Sequence, residues 1–166
     1  MNHLNEQFVA PSRYEPLMSS YLSTARRLER WHFNWIKFDG FALTASARLD
    51  GWQASATDGN RFHLSIFSAR EVDAQLAIIS LHLKLGLTKK SAEVWLLKCT
   101  EECVVPITNA EDVRFEMSST LRRSSNGKIL TERVCTVSDD RGGLFKFAVL
   151  GLMPWDHSWG EPPVAM

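Results

Sequence analysis

Cysteine is scarce in this chain of 166 residues: there are three, Cys99, Cys103 and Cys135. They are odd in number, lie inside strand-like segments and have no CxxC pair or histidine at ligand spacing. They therefore support neither a disulfide framework nor a zinc site, and read as buried free thiols. No other metal or cofactor motif is present. Residues Met1 to Ser12 lack the basic-then-apolar order of a secretory leader, and no run approaches the ~20 apolar residues of a membrane span. These absences predict a cytoplasmic protein with no membrane partner. Excess charge is missing too, since nineteen basic and nineteen acidic residues cancel, so nothing recruits nucleic acid. No Gly-x-Ser-x-Gly elbow surrounds Ser65 or Ser68, which disfavours a serine nucleophile. Internal repeats are also absent.

What is present is a sizeable apolar content, 45% with six Trp, enough for the core of a single domain over residues 1–166. Residues 1–30 read as a helical lead-in, with helical character from Leu17 to Trp31, and 154–166 as a tail carrying Trp155 and Trp159. Between them comes an ordered set of elements. Short segments His32–Phe38, Ala42–Leu49, Gln53–Thr57 and Phe62–Phe67 are separated by Asp39-Gly40, Asp50-Gly51 and Asp58-Gly59, which mark strand turns. A long helix follows from Ala69 to Gly86. Ser68 with Glu71 three residues on reads as a capping box that opens it, and Gly86 closes it. Ala69, Val72, Leu76, Ile79 and Leu83 repeat at helical spacing, while Ile78, Leu81 and Leu85 make the opposite side apolar too, which predicts a helix covered on most sides. Then Glu93–Val105, Val113–Arg123, Lys128–Ser138 and Leu144–Leu152 are rich in β-branched and aromatic residues, with Asn126-Gly127 and Asp139–Gly143 as turns. The class is α+β, a curved antiparallel sheet folded round a central helix.

This order of strands, one long helix and a strand meander resembles the hotdog fold over about residues 31–152. Two branches are similar in detail. The chain resembles the FcoT-like fatty acyl-CoA thioesterases in length, in Gly59-Asn60 leading into the helix, in Gln75-Leu76-Ala77 on the helix and in the closing strand pair. It resembles the hydroxyacyl-ACP dehydratases in an acid followed four residues later by Gln, Glu71 and Gln75. The dehydratase Pro-x-Met-Pro-Gly loop is missing, as are the His-Gly-Gly and Asp-x-x-x-His-Val-Asn-Asn signatures of other hotdog thioesterases. What the resemblance implies is an acyl thioester, on CoA or an acyl carrier protein, bound along the interface of a homodimer or higher homo-oligomer, with its carbonyl near the helix N-terminus.

A helix N-terminus suits that placement because its first N–H groups lack intrahelical partners and its dipole favours an oxyanion. With a start at Ser68, Ala69 and Arg70 present those groups. A carboxylate within one turn can serve as general base on water; the candidates are Asp73, on the flank of the apolar stripe, and Glu71, which the capping box already explains. Gln75 lies on the opposite flank. His63 could contribute from a neighbouring subunit, as the dehydratase resemblance implies, or simply face solvent. His32 and His82 read as structural. Arg122, Arg123 and Lys128 are either ordinary solvated surface or a site for CoA or carrier phosphates. Hydrolysis stands ahead of dehydration because it needs one base and one oxyanion site. The alternatives are a hydroxyacyl-thioester dehydratase, a non-catalytic module binding an acyl chain or peptide in the same groove, and a small secretion chaperone.

Overall fold

A computed structural model describes residues 28–40, 42–52, 54, 59, 61–87, 92–123 and 128–155. The elements are β1 (Arg30–Phe38), β2 (Ala42–Asp50), α1 (Ile66–Lys84), β3 (Trp95–Val105), β4 (Val113–Arg123), β5 (Lys128–Ser138) and β6 (Leu144–Pro154). All six strands join one antiparallel sheet in the order β1-β2-β4-β5-β6-β3. Strand alternation sends one set of side chains inward: Leu43, Ala45, Ala47 and Leu49 on β2, Val113, Phe115 and Met117 on β4, Cys135 and Val137 on β5, and Phe145, Phe147 and Val149 on β6. The inner stripe of α1, Ala69, Val72, Leu76 and Ala77, joins the same core. The other side of the helix is open: Phe67, Glu71, Ala74, Gln75 and Leu83 are exposed, so the sheet of this one chain covers a single side of α1.

Several sequence expectations shift. The helix begins at Ile66, capped by Ser65, whose Oγ accepts the Ser68 N–H. Ser68 is therefore inside the first turn, where its hydroxyl lies against Ser65 Oγ and donates to Glu29. The predicted segment Phe62–Phe67 is no strand: residues 61–65 have no regular structure and 66–67 are helical. Leu64 is tied by its N–H to the Ile107 carbonyl, a tertiary bond that delivers the chain to the cap. Arg30 and Trp31 are strand rather than helix, whereas 17–27 lie outside the described residues, as do most of 53–57, Asn126-Gly127 and 156–166. At the far end Gly86 takes φ 68°, the left-handed cap predicted for it. Trp155 is buried with Leu81, Ile129 and Met153, closing the C-terminal end of α1.

Edges differ in character. Strand β3 pairs with β6 alone among the described residues, and its apolar side chains stay exposed, from Trp95 at 62% through Leu96 and Leu97 to Val104 and Val105. Irregular register at Leu96/Lys98 and at Cys103/Val105 brackets a regular stretch between them.

Candidate functional site

Buried polar side chains are spread through the structure, from Ser46 on β2 to Asp139 beyond β5, and the one buried pair of opposite charges among the described residues lies beneath the first turns of α1. Asp73 is completely buried, at 0% exposure, yet carries a carboxylate. It is matched by Arg133, which occupies an inward position on β5 between Thr131 and Cys135. Arg133 Nη2 donates to Asp73 Oδ2 at 2.5 Å and Nε to Oδ1 at 3.4 Å. Its side chain is 7% exposed. The two-point geometry neutralises both charges where either alone would be very costly. Cys135 adjoins the pair, and burial together with the Asp73 charge pushes its thiol far up. Nearer the surface, Arg70 pairs with Glu101 on β3 at 2.7 Å. Cys99 donates to the same Glu101 carboxylate, and burial, then that contact, raises its thiol. Neither thiol is prepared for nucleophilic attack, which requires the thiolate.

Between α1 and the β3/β6 edge lies a cavity of about 60 Å³, lined by Arg70, Ala74, Ala77, Ile78, Leu96, Gly151 and Arg133 among others. The small residues on the helix make the room, and Gly151 preserves it, since a Cβ there would come within 3.0 Å of Thr131 and 3.2 Å of Val94. A larger open trough, about 600 Å³, lies over the sheet face that points away from α1, lined by Lys98, Thr100, Ser118, Thr120, Glu132 and Val134 among others. Among the described residues its walls hold no buried ion pair other than the one Arg133 makes on the opposite face.

The predicted site residues divide accordingly. Arg70 and Asp73 come together at the α1/β3 groove, Arg70 lining it and Asp73 holding Arg133 beneath it. Glu71 is exposed on the open side of the helix, one turn before Ala74, and Gln75 is exposed beside it. His63 is half-buried in the segment leading to the cap. Ser68 is buried and committed to Glu29. The Ala69 N–H donates to Ser65 O at 3.1 Å, so the earlier helix start removes it from the unpaired donors. Arg122 lies exposed 3.6 Å from Glu132, and Lys128 is exposed at the start of β5; the side chain of Arg123 lies outside the described set. The strands hold Arg122 and Lys128 apart from the α1 groove. His82 bonds its own helix through Nδ1 and the Ile78 carbonyl, the structural role expected of it, and His32 pairs with Asp50. Among the described residues no group of three or more His, Cys, Asp or Glu could hold a metal, and no helix is long and apolar enough to cross a membrane.

Arg133 was missed by motif reading, though its signal is plain in the alternation: in Ile129-x-Thr131-x-Arg133-x-Cys135-x-Val137 a cation occupies an inward position, which demands a buried partner.

No family model and no curated protein matches the sequence. Solved structures do match. A candidate thioesterase from Shewanella oneidensis superposes with a TM-score of 0.54 at 14% identity, covering 87% of this chain and 99% of that one. A candidate thioesterase from Lactococcus lactis gives 0.51 at 10% identity, covering 80% and 98%. At such identities the likeness is one of architecture, and it agrees with the strand order and the single helix described above: this chain has the hotdog fold.

Proposed function

We propose that this protein hydrolyses an acyl thioester, carried on CoA or an acyl carrier protein, in the groove between α1 and the β3 edge. The observation that carries the reading is the set of three charged side chains close together near the start of the helix. Arg70, Glu71 and Asp73 fall within the first two turns of α1, beside a cavity with a buried guanidinium. In this reading Glu71 is the general base, because it is exposed, whereas both Asp73 oxygens serve Arg133. The Glu71 carboxylate takes a proton from water as the water oxygen attacks the thioester carbonyl carbon. The carbonyl π electrons move onto oxygen. Collapse of that oxyanion breaks the C–S bond, and the thiolate takes up the proton to leave as free thiol beside the carboxylic acid. The acyl chain follows the exposed apolar surface of Phe67, Leu96 and Leu97. The working unit is a homodimer joined through β3, which covers the open side of α1.

The test is release of free thiol from a series of acyl-CoA substrates, butyryl to palmitoyl, followed with a thiol reagent. Hydrolysis with Glu71→Gln reduced in kcat by ~100 to 10,000-fold is the expected result, typical of a lost general base. A crotonyl-type double bond appearing instead of thiol would replace hydrolysis by dehydration, and an unimpaired Glu71→Gln would remove the base assigned here. Asp73→Asn is expected to lower stability by about 3–5 kcal/mol, because it leaves Arg133 charged and buried without a counter-ion; urea unfolding reads that effect apart from kinetics.

A further inference from the structure

A hydrolase of this kind needs a donor for the developing oxyanion, and the helix start leaves few. The Ser68 N–H is held by Ser65 Oγ and the Ala69 N–H by Ser65 O. The guanidinium of Arg133 offers a donor at the cavity itself. It is more than nine-tenths buried, and Asp73 fixes it in plane through Nε and Nη2. Among the described residues nothing accepts a hydrogen bond from Nη1. The same side chain lines the small cavity under Ala74 and Ala77.

We propose that Arg133 is the carbonyl-recognition group of the site: the guanidinium edge left over by Asp73 donates from Nη1 to the carbonyl oxygen of an acyl thioester seated in the α1/β3 cavity. The inference rests on the hydrolase reading and adds a residue to it. The charge state of the site favours a thioester carbonyl over a free carboxylate, and the cavity's size and rigidity fit it to the reacting group. The Arg133–Asp73 and Arg70–Glu101 pairs are each already neutral, so a resident anion would have no counter-charge of its own. A cavity of about 60 Å³ has room for a group of a few heavy atoms and not for an acyl chain. A donor held rigid by a buried ion pair also stabilises charge that builds up on the carbonyl oxygen during attack, without having to reorganise. Asp73 is then a positioning residue, acting through Arg133.

Carbonyl recognition is measured directly by binding two unreactive octanoyl-CoA analogues: a ketone in which methylene replaces sulfur, and a thioether in which methylene replaces the carbonyl. The wild-type protein is expected to bind the ketone at least about tenfold more tightly, the worth of one charge-assisted hydrogen bond. Arg133→Lys keeps the charge beside Asp73 but not the spare edge. It is expected to lose the ketone preference and, with the best acyl-CoA, about 100 to 1,000-fold in kcat, as oxyanion donors do. Because Arg133→Lys could unfold the core, the double variant Asp73→Leu/Arg133→Met removes the whole pair and fills its volume with apolar side chains, a replacement that buried pairs often tolerate. It is expected to fold and show no preference. Equal wild-type affinity for the two analogues overturns the proposal, as does either folded variant that retains the preference and the rate. Failure of the hydrolase reading shows differently: no acyl-CoA releases thiol, while the analogue preference of the wild type still reports on Arg133.

Discussion

Asp139, at the turn between β5 and β6, shows how much one side chain can organise. Its Oδ1 accepts the N–H groups of Arg141 and Gly143, and its Oδ2 those of Thr108 and Asn109, at 2.7 to 3.0 Å. Burial acts to raise its pKa, but the backbone donors outweigh it and hold the carboxyl below its usual range. Asp112 is likewise lowered, first by the Ser46 hydroxyl and then, against burial, by Arg114. A depressed folded-state pKa contributes stability that is complete above the unfolded value of about 4 and is lost as pH falls through the lower folded value. Urea midpoints are therefore expected to hold from neutrality to about pH 5 and to fall in more acid solution. Asp139→Asn turns an amide NH₂ toward two N–H donors and is expected to cost about 2 kcal/mol at neutral pH, with a flatter acid limb. A variant with the wild-type midpoint would show that the turn finds other acceptors. The neighbouring Gly143 belongs to the same device: a Cβ there would come 2.6 Å from Ile107 Cα.

Helix α1 is the element on which sequence and structure differ most usefully. Ser65 and Ser68 both begin a plausible cap, and the Ser68-x-x-Glu71 spacing is the better local pattern. The fold uses Ser65, because the Leu64–Ile107 bond brings the chain in one turn earlier and Glu29 is there to take the Ser68 hydroxyl. Ser65→Ala is accordingly expected to cost about 1 kcal/mol, whereas Glu71→Gln, a substitution at an exposed position beyond the cap, should cost less than about 0.5 kcal/mol. Circular-dichroism melts of the two variants separate the possibilities, and a loss confined to Glu71→Gln would restore the cap at Ser68. The segment 62–67 reads as strand for a related reason: Phe62, Leu64 and Ile66 alternate like a strand, but Ile66 is already the first helical residue after the cap. The strands after the helix were legible almost to the residue, because β4 and β5 start and stop at changes in composition that the sequence displays.

In the whole molecule the feature that bears on assembly is the exposed apolar surface of β3. Its exposed apolar residues, and an edge that pairs with β6 alone among the described residues, invite another strand. In the proposed dimer its own copy fits antiparallel about Thr100, a register that sets Lys98 opposite Glu102 of the second copy on both sides of the axis. Lys146 already lies 4.0 Å from Glu102, so the pairing would extend an existing row of charges. Lys98→Glu is expected to weaken the dimer and Lys98→Glu/Glu102→Lys to restore it, read as mass against concentration by light scattering. A wild-type protein that stays monomeric at micromolar concentration would contradict the dimer. Oxidative cross-linking of Cys99 to Cys103 would contradict the register, since those two face each other only if the axis passes through Glu101.

By itself the sequence determined the strand segments after the helix, the helix and its glycine cap, and the gathering of Arg70, Glu71 and Asp73 on two turns, because periodicity, turn chemistry and capping are local and leave their marks in neighbouring residues; the placing of β3 beside β6 at the sheet edge, where a simple meander would set it beside β4, is a long-range outcome. Only the tertiary structure decided the partner of Asp73. Arg133 stands sixty positions away in sequence, and nothing local to either residue specifies that an inward position on β5 lies beneath the second turn of α1. The same long-range packing moved the helix start to Ser65 and withdrew the Ala69 N–H from the site, since the cap was chosen by contacts to Ile107 and Glu29 rather than by the better local motif.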